Sequence, residues 1–204
     1  MKKNNRQAMR EAKRKKETRQ KVIVYSGVGL AVIAVVVIII LLSGTSPNSA
    51  SLMGDEVAIT SSDHLPTDTP PGPYSSNPPA GGTHYDSDFS AKFYQESDLA
   101  TLPPNSTGYL VHSLDHGYVI FGYNCQISGI ECSALKQTIQ TVMDETGNTK
   151  LIAFPWPDMD VPLAMTSWGR IPKFSQPDSA QMKQFVERNR YHAPEPDAPK
   201  VLIL

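Results

Sequence analysis

Four of the five histidines in the chain lie between residues 64 and 116, and they carry most of the chemistry that the sequence offers. His112 and His116 are four residues apart in the stretch HSLDH, and His64 and His84 bracket a proline-rich segment before it. Imidazole is the side chain best suited to binding transition metals or to transferring protons near neutral pH. This grouping therefore predicts a metal site or a proton-transfer site.

We predict a metal site with copper or zinc as the cofactor. Three neutral imidazoles with an open coordination position suit Zn²⁺, whereas imidazoles joined by a thioether suit copper. Asp115, inside the same stretch, is expected to hold one imidazole in the required tautomer. The candidate metal ligands are His84, His112 and His116, with His64 and Met165 as additional candidates.

Two other interpretations of the histidines fit the same residues. In the first, the protein is a non-catalytic binding or assembly module of the cell envelope, and its histidines only brace the proline-rich segment. In the second, it is a hydrolase in which His116 is the general base and Asp115 orients it. The sequence has no G-x-S-x-G elbow, so the nucleophile and any other catalytic residue stay unknown. Arg170 is predicted to pair with a buried carboxylate or with a substrate anion.

The charge distribution and one long apolar run predict a membrane anchor. Residues 1–21 hold ten of the nineteen basic residues and two acidic ones, whereas the rest of the chain holds nine basic and eighteen acidic residues. Residues 22–42, VIVYSGVGLAVIAVVVIIILL, carry no charge and match the roughly 20 residues that span a bilayer. Because basic flanks stay in the cytoplasm, residues 43–204 are expected on the outer side of the membrane.

The expected location is therefore the cell membrane, with a single pass and a cytoplasmic N-terminus. The apolar run is longer than that of a cleaved signal peptide, which favours an uncleaved signal anchor. The lipid bilayer is the expected partner, through residues 22–42. We expect no nucleic-acid partner, because orientation in the membrane and attraction to anionic lipid account for the basic tail 1–21.

The two cysteines are predicted to form a disulfide. Cys125 and Cys132 are separated by six residues and follow a predicted strand. The expected topology places both of them in an oxidising compartment, where such pairs form disulfides. A cysteine nucleophile is the less favoured alternative.

The outer part divides into a stalk and a domain. Residues 43–63 are rich in serine and threonine, which predicts a flexible stalk. Residues 64–85 hold six prolines and three glycines, a density that excludes a regular helix or a central strand. Its flanking histidines favour an ordered loop over the domain 64–204.

The residues after this loop predict a small α+β domain with an antiparallel sheet and two amphipathic helices. Apolar residues at a spacing of 3.6 indicate one helix after Ser133 and before Gly147, and a second over 177–190 that Asp178 caps. Runs of Val, Ile, Tyr and Phe indicate the strands, over about 108–114, 117–124, 150–157 and 162–170.

Several motifs together resemble those of a bacterial family, the domain-of-unknown-function family 3105. The motifs are PPAGGTHY (78–85), VHSLDHGYV (111–119), TSWGR (166–170) and FVERNRYHAPEP (185–196). The resemblance covers roughly residues 56–198, and family members often carry an N-terminal membrane anchor. It implies no established activity.

The resemblance adds weight to the histidines rather than to the cysteines. The family's recurring positions correspond to His84, His112, His116, often His64, and to Trp168, Gly169 and Arg170. His192 falls on no family motif, and Cys125 and Cys132 depart from the family's pattern. Family positions drawn from separated segments of the chain, with side chains that bind metals, favour the metal site over the alternatives.

Overall fold

The structure is a computed structural model that describes residues 51–197. The predicted cytoplasmic tail, the apolar run 22–42, the first part of the predicted stalk and residues 198–204 lie outside the described residues. Within residues 51–197, no helix combines the length and the apolarity needed to cross a membrane. The α+β class is confirmed for this part of the chain.

A four-stranded sheet lies at the centre of the domain, in the order β3-β2-β4-β6, and β1 and β5 form a separate antiparallel pair. The predicted antiparallel sheet is in fact mixed, because β2 pairs with β3 in parallel and with β4 antiparallel. Both β2 and β3 are buried along their whole length, as strands of parallel pairs usually are. The strands are β1 (Asp55–Glu56), β2 (Val119–Tyr123), β3 (Leu151–Pro155), β4 (Leu163–Thr166), β5 (Arg170–Ile171) and β6 (Lys173–Phe174).

The two predicted amphipathic helices are confirmed. The first is α2 (Cys132–Glu145), and its buried residues are the four predicted ones, Leu135, Ile139, Val142 and Met143. It begins one residue before Ser133, so Ser133 is not its cap. The second is α3 (Ser179–Asn189), where the Asp178 carboxylate accepts hydrogen bonds from the backbone N–H groups of Ala180 and Gln181.

The strand predicted over 108–114 is wrong, because these residues form a third α-helix, α1 (Ser106–Asp115). Every residue of α1 from Gly108 to Asp115 is buried. A helix that is buried on all sides has no polar face, so its sequence lacks the 3.6-residue period and its Tyr, Leu and Val resemble a strand. Gly117 then ends the helix at a φ of 76°, and Tyr118 donates its backbone N–H to the Ser113 carbonyl.

The sheet separates two hydrophobic clusters, which assigns its side chains to two faces. On one face, Val119, Phe121 and Met165 pack in the cluster that contains α2 and α3. On the other face, Ile120 and Ile152 pack in the cluster that contains α1. Because α1 lies on the second face, its histidines and the Met165 thioether are on opposite sides of the sheet.

Two further predictions concern loops. The last part of the segment 43–63 is not a free stalk: β1 pairs with β5, and the backbone of Met53 is hydrogen-bonded by the Asn189 side chain. The disulfide between Cys125 and Cys132 is present and closes the loop between β2 and α2.

The contact between α1 and the loop before it predicts an unusual response to an added methyl group. A Cβ on Gly108 would lie 2.6 Å from two ring carbons of the fully buried Tyr85. Alanine normally stabilises a helix relative to glycine by about 1 kcal/mol. We expect Gly108→Ala to lower the free energy of unfolding instead, by about 1 to 2 kcal/mol, because overpacking outweighs helix propensity.

Urea denaturation followed by tryptophan fluorescence measures this effect. Gln137→Ala, on an exposed position of α2, is the matched control and should be neutral or slightly stabilising. A Gly108→Ala protein as stable as the wild type would show that α1 is free to move away from Tyr85.

Candidate metal centre

The C-terminal end of α1 presents two imidazoles on one face. His112 and His116 are one helical turn apart, so their side chains lie next to each other, with ring centroids 4.3 Å apart. Both are almost fully buried. The spacing H-x3-H thus has the helical geometry in which two imidazoles approach a common point, although the sequence predicted a strand here.

The proline-rich loop brings two more imidazoles to the same place. His64 and His84 face each other across a parallel bridge, in which Leu65 donates its backbone N–H to the His84 carbonyl and His84 donates its own to the Asp63 carbonyl. Tyr85 donates its N–H to the Gly108 carbonyl, which fixes the loop against α1. The ring centroids of His64 and His84 are 4.5 Å apart. The ring centroid of His112 lies 5.3 Å from that of His64 and 5.2 Å from that of His84.

The glycines of the PPAGGTHY motif let the backbone of the proline-rich loop pack closely against its neighbours. Gly81 has a φ of 141°, and a Cβ there would lie 2.6 Å from the Ile59 side chain and 3.3 Å from the Trp168 ring. Trp168 in turn packs edge-on against the His84 ring, with centroids 6.1 Å apart. Gly169 donates its N–H to the Ala80 carbonyl, so the TSWGR segment supports the loop from outside.

Hydrogen bonds determine which nitrogen of two imidazoles carries the proton. His84 Nδ1 lies 2.8 Å from the Gly82 carbonyl oxygen, which can only accept, so Nδ1 is the donor and Nε2 has the lone pair. His84 Nε2 is buried and has no hydrogen-bond partner among the described residues. His116 donates its Nδ1–H to Asp88 Oδ2 over 2.9 Å. In its neutral form, His116 therefore also has its lone pair on Nε2.

His112 is the central imidazole of the group. Only 1% of its surface is exposed, and neither ring nitrogen has a hydrogen-bond partner among the described residues. Burial, followed by the neighbouring imidazoles, lowers the pKa of His112 to about 3. Burial also lowers the pKa of His84. Both rings are therefore neutral at physiological pH, the protonation state that a metal ion requires of an imidazole ligand.

Three carboxylates surround the imidazoles. Asp88 is fully buried, Asp115 is 3% exposed, and Glu195 is exposed in the segment after α3. Burial and then the nearby Glu195 raise the pKa of Asp115 to about 6. Asp115 Oδ2 lies 4.0 Å from His84 Nε2, and Asp115 Oδ1 has no hydrogen-bond partner among the described residues.

The imidazoles and carboxylates combine into three groups of candidate ligand atoms. Within each group, one ligand atom from each residue lies within 4.8 Å of the others. The groups are His64, His84 and His112; Asp88, His112 and His116; and Asp115, His116 and Glu195.

These groups revise the predicted ligand set. His64, which the sequence offered only as an additional ligand, lies with His84 and His112, whereas His116 is hydrogen-bonded to Asp88. Asp88 and Glu195 were missed, and no spacing signal in the sequence connects either residue to the HSLDH stretch. Asp115 was expected to fix the tautomer of one imidazole. In the structure, Asp88 does this for His116 and the Gly82 carbonyl does it for His84.

Three other candidate residues lie apart from the imidazoles. Met165 is buried on the opposite face of the sheet, so the predicted thioether ligand is wrong. The Arg170 guanidinium lies 3.5 Å from the exposed Glu56 carboxylate, its partner across the β1–β5 pair. His192 is exposed, with its Nδ1 near the Arg190 carbonyl.

The hydrolase interpretation receives no support from this geometry. The Ser113 hydroxyl donates to the Tyr109 carbonyl and accepts from the Phe89 N–H, so it is occupied in the core. His116 is buried, and its orienting carboxylate is Asp88 rather than Asp115.

Comparison with known proteins identifies one family. The family model described as protein of unknown function (DUF3105) matches residues 67–201. No curated protein and no solved structure matches the chain. The match contains His84, His112 and His116 and all three carboxylates, whereas His64 lies just before it.

The unpaired His112 ring predicts how the metal-free protein responds to pH. His112 has a folded-state pKa below the ordinary 6.5, so as pH falls below 6.5 the unfolded chain takes up a proton that the folded protein does not. This imidazole therefore destabilises the fold increasingly between pH 6.5 and about 3. The raised pKa of Asp115 acts in the opposite direction, since its stabilising effect is present at low pH and is lost as pH rises through about 6.

We expect His112→Leu to raise the free energy of unfolding of the metal-free protein by about 1 kcal/mol at pH 7, because it removes a buried polar group without partners. The advantage over the wild type should grow as pH falls to 5, since Asp115 is common to both proteins. Urea denaturation in the presence of a chelator measures both quantities, with His192→Leu as the exposed control. A variant less stable than the wild type at both pH values would contradict the prediction.

Proposed function

The chain belongs to the DUF3105 family of proteins of unknown function, and we propose that it is a membrane-anchored, extracytoplasmic protein that binds copper or zinc through its histidines. The observation that carries this proposal is the approach of His64, His84 and His112, whose candidate ligand atoms lie within 4.8 Å of one another. We propose these three imidazoles as the metal ligands, with His116 as their neighbour.

The hydrogen bonding of His84 and His112 supports a metal-binding role rather than a purely structural one. His84 is oriented by its Nδ1–H, which leaves the Nε2 lone pair for a ligand, in the way that metal-bound histidines are usually held. A structural histidine in a core uses its nitrogens in hydrogen bonds, yet both nitrogens of His112 lack a partner within the described chain. A bound cation would take the Nε2 lone pair of His84 and the single lone pair of the neutral His112 ring.

The dimensions of the group are close to those of a zinc or copper site. Metal–nitrogen bonds of about 2.0 to 2.1 Å place tetrahedral ligand nitrogens roughly 3.3 to 3.5 Å apart. Because the three ligand atoms are already within 4.8 Å, small ring rotations suffice to bring them to that spacing. Three protein ligands leave one coordination position for water or another molecule, and the His64 side chain, 43% exposed, lies on the route to solvent.

The cysteines and the N-terminal segment 1–42 support the proposed location. A disulfide between Cys125 and Cys132 is typical of proteins outside the cytoplasm. The uncharged run 22–42 supports a single-pass anchor with the lipid bilayer as partner, and the basic tail 1–21 supports a cytoplasmic N-terminus.

Metal analysis tests the proposed site. The purified chain, loaded with copper or zinc and dialysed, should retain about one ion in the imidazole site. His84→Ala and His112→Ala should each lower the retained metal, because a two-imidazole remnant binds far more weakly. His192→Ala, which removes the histidine outside the group, should retain metal as the wild type does.

The same experiment distinguishes the proposed metal site from the alternative of a binding module. That alternative expects the His84→Ala and His112→Ala proteins to unfold more readily while retaining as much metal as the wild type, and expects protein partners to co-purify. Wild-type protein that retains only a small fraction of an ion per chain after loading would overturn the proposed function.

Membrane fractionation tests the proposed anchor. The full chain should stay in the membrane pellet after an alkaline carbonate wash, because a spanning helix is held by its apolar length rather than by charge. A variant without residues 1–42 should appear in the supernatant. Deletion of residues 43–50 is the control and should leave the protein in the pellet; release of the full chain by the wash would contradict the anchor.

A further inference from the structure

One group of candidate ligands shares no residue with the proposed imidazole site. Asp115, His116 and Glu195 each offer a ligand atom within 4.8 Å of the other two, and His64, His84 and His112 are not among them. We propose that these three residues form a second cation site, rich in carboxylate, that takes a divalent metal with a preference for oxygen ligands, such as Mn²⁺.

The buried carboxylate of Asp115 is the strongest argument for a bound cation. Its carboxylate is 3% exposed, and its Oδ1 atom has no hydrogen-bond partner among the described residues. A buried carboxylate oxygen without a partner is costly, and a second carboxylate beside it, from Glu195, adds repulsion when both are ionised. A divalent cation between the two carboxylates removes both costs.

His116 is prepared as the nitrogen ligand of this site. Its Nδ1–H is donated to Asp88, so the lone pair of the neutral ring lies on Nε2. This is the carboxylate–histidine arrangement that fixes ring orientation and raises the basicity of a ligating imidazole. Two carboxylates and one imidazole suit Mn²⁺, whereas an all-imidazole site binds Mn²⁺ weakly.

Backbone hydrogen bonds position Glu195 beside the end of α1 without a bound cation. The Glu195 N–H donates to the Asp115 carbonyl over 3.0 Å, and the Tyr191 N–H donates to the Gly117 carbonyl over 2.9 Å. Lys150 Nζ donates to the carbonyls of His116 and Pro196, which ties both sides of the site together. The segment after α3 is therefore fixed on the end of α1, with the Glu195 carboxylate exposed for a cation to approach from solvent.

The second site adjoins the imidazole site but shares no residue with it. The rings of His112 and His116 have centroids 4.3 Å apart, and Asp115 Oδ2 lies 4.0 Å from His84 Nε2. The proposed second site therefore does not rest on the proposed function, although its occupancy would change the electrostatic surroundings of His84. The ammonium group of Lys150 contacts the His116 carbonyl, and the Asp88 carboxylate contacts the His116 ring.

Titration of the full-length chain with Mn²⁺ tests this inference, with the electron paramagnetic resonance signal of free Mn²⁺ reporting binding. We expect the wild type to bind about one Mn²⁺. Glu195→Gln should weaken binding by more than about tenfold, because it removes a charged ligand at an exposed position without disturbing the core. Asp115→Asn should have a similar effect.

Two controls separate this site from the imidazole site. Glu187→Gln, the same change at an exposed position of α3, should leave Mn²⁺ binding unchanged. His64→Ala should lower copper or zinc retention but not Mn²⁺ binding. Mn²⁺ binding that is absent from the wild type, unaffected by Glu195→Gln, or lost in His64→Ala would overturn the second site, and none of these results bears on copper or zinc retention.

Discussion

The burial of helix α1 from its third residue onward is the constraint on which the rest of this domain depends. Every residue from Gly108 to Asp115 is buried, and this stretch includes an imidazole and a carboxylate. Burying such groups without partners costs free energy, so the surrounding chain has to bring polar or ionic groups to them. The sheet covers one side of α1 with apolar residues, and the polar side chains are left to the loops.

Two irregular segments cover the polar end of α1, and each contributes ligands. The proline-rich loop 64–85 brings His64 and His84, held by the contact of Tyr85 with Gly108 and by the packing of Trp168. The segment after α3 brings Glu195, held by backbone hydrogen bonds to the end of α1. A row of ionisable side chains consequently runs through the domain from the exposed His64 to the exposed Glu195.

This arrangement brings together motifs that lie far apart in the sequence. PPAGGTHY supplies one imidazole and the glycines that let the loop approach, VHSLDHG supplies the buried helix end, and TSWGR supports the loop from behind. The APEP segment (193–196) covers the end of α1 on the side opposite to the proline-rich loop, through the hydrogen bond from the Glu195 N–H to the Asp115 carbonyl. The four motifs together enclose one polar interior around the end of α1.

Much of the domain could be predicted from local patterns. Helices α2 and α3 are amphipathic and lie on the surface of the sheet, so the 3.6-residue period identified them and their buried residues. The cysteine spacing predicted the disulfide, and the residue types of the histidines predicted a common site. These properties depend on near neighbours in the chain or on side-chain chemistry, which a sequence displays directly.

Only the tertiary structure decided which residues meet. α1 was mistaken for a strand because total burial removes the polar face that marks a helix, and Met165 was a false candidate because the alternation along β4 turns it to the other side of the sheet. Asp88 and Glu195 reach His116 from 28 residues before it and from the segment after α3. The sequence by itself therefore determined the chemistry available to this protein, whereas long-range packing determined its geometry, since contacts between distant segments leave no periodic trace in the chain.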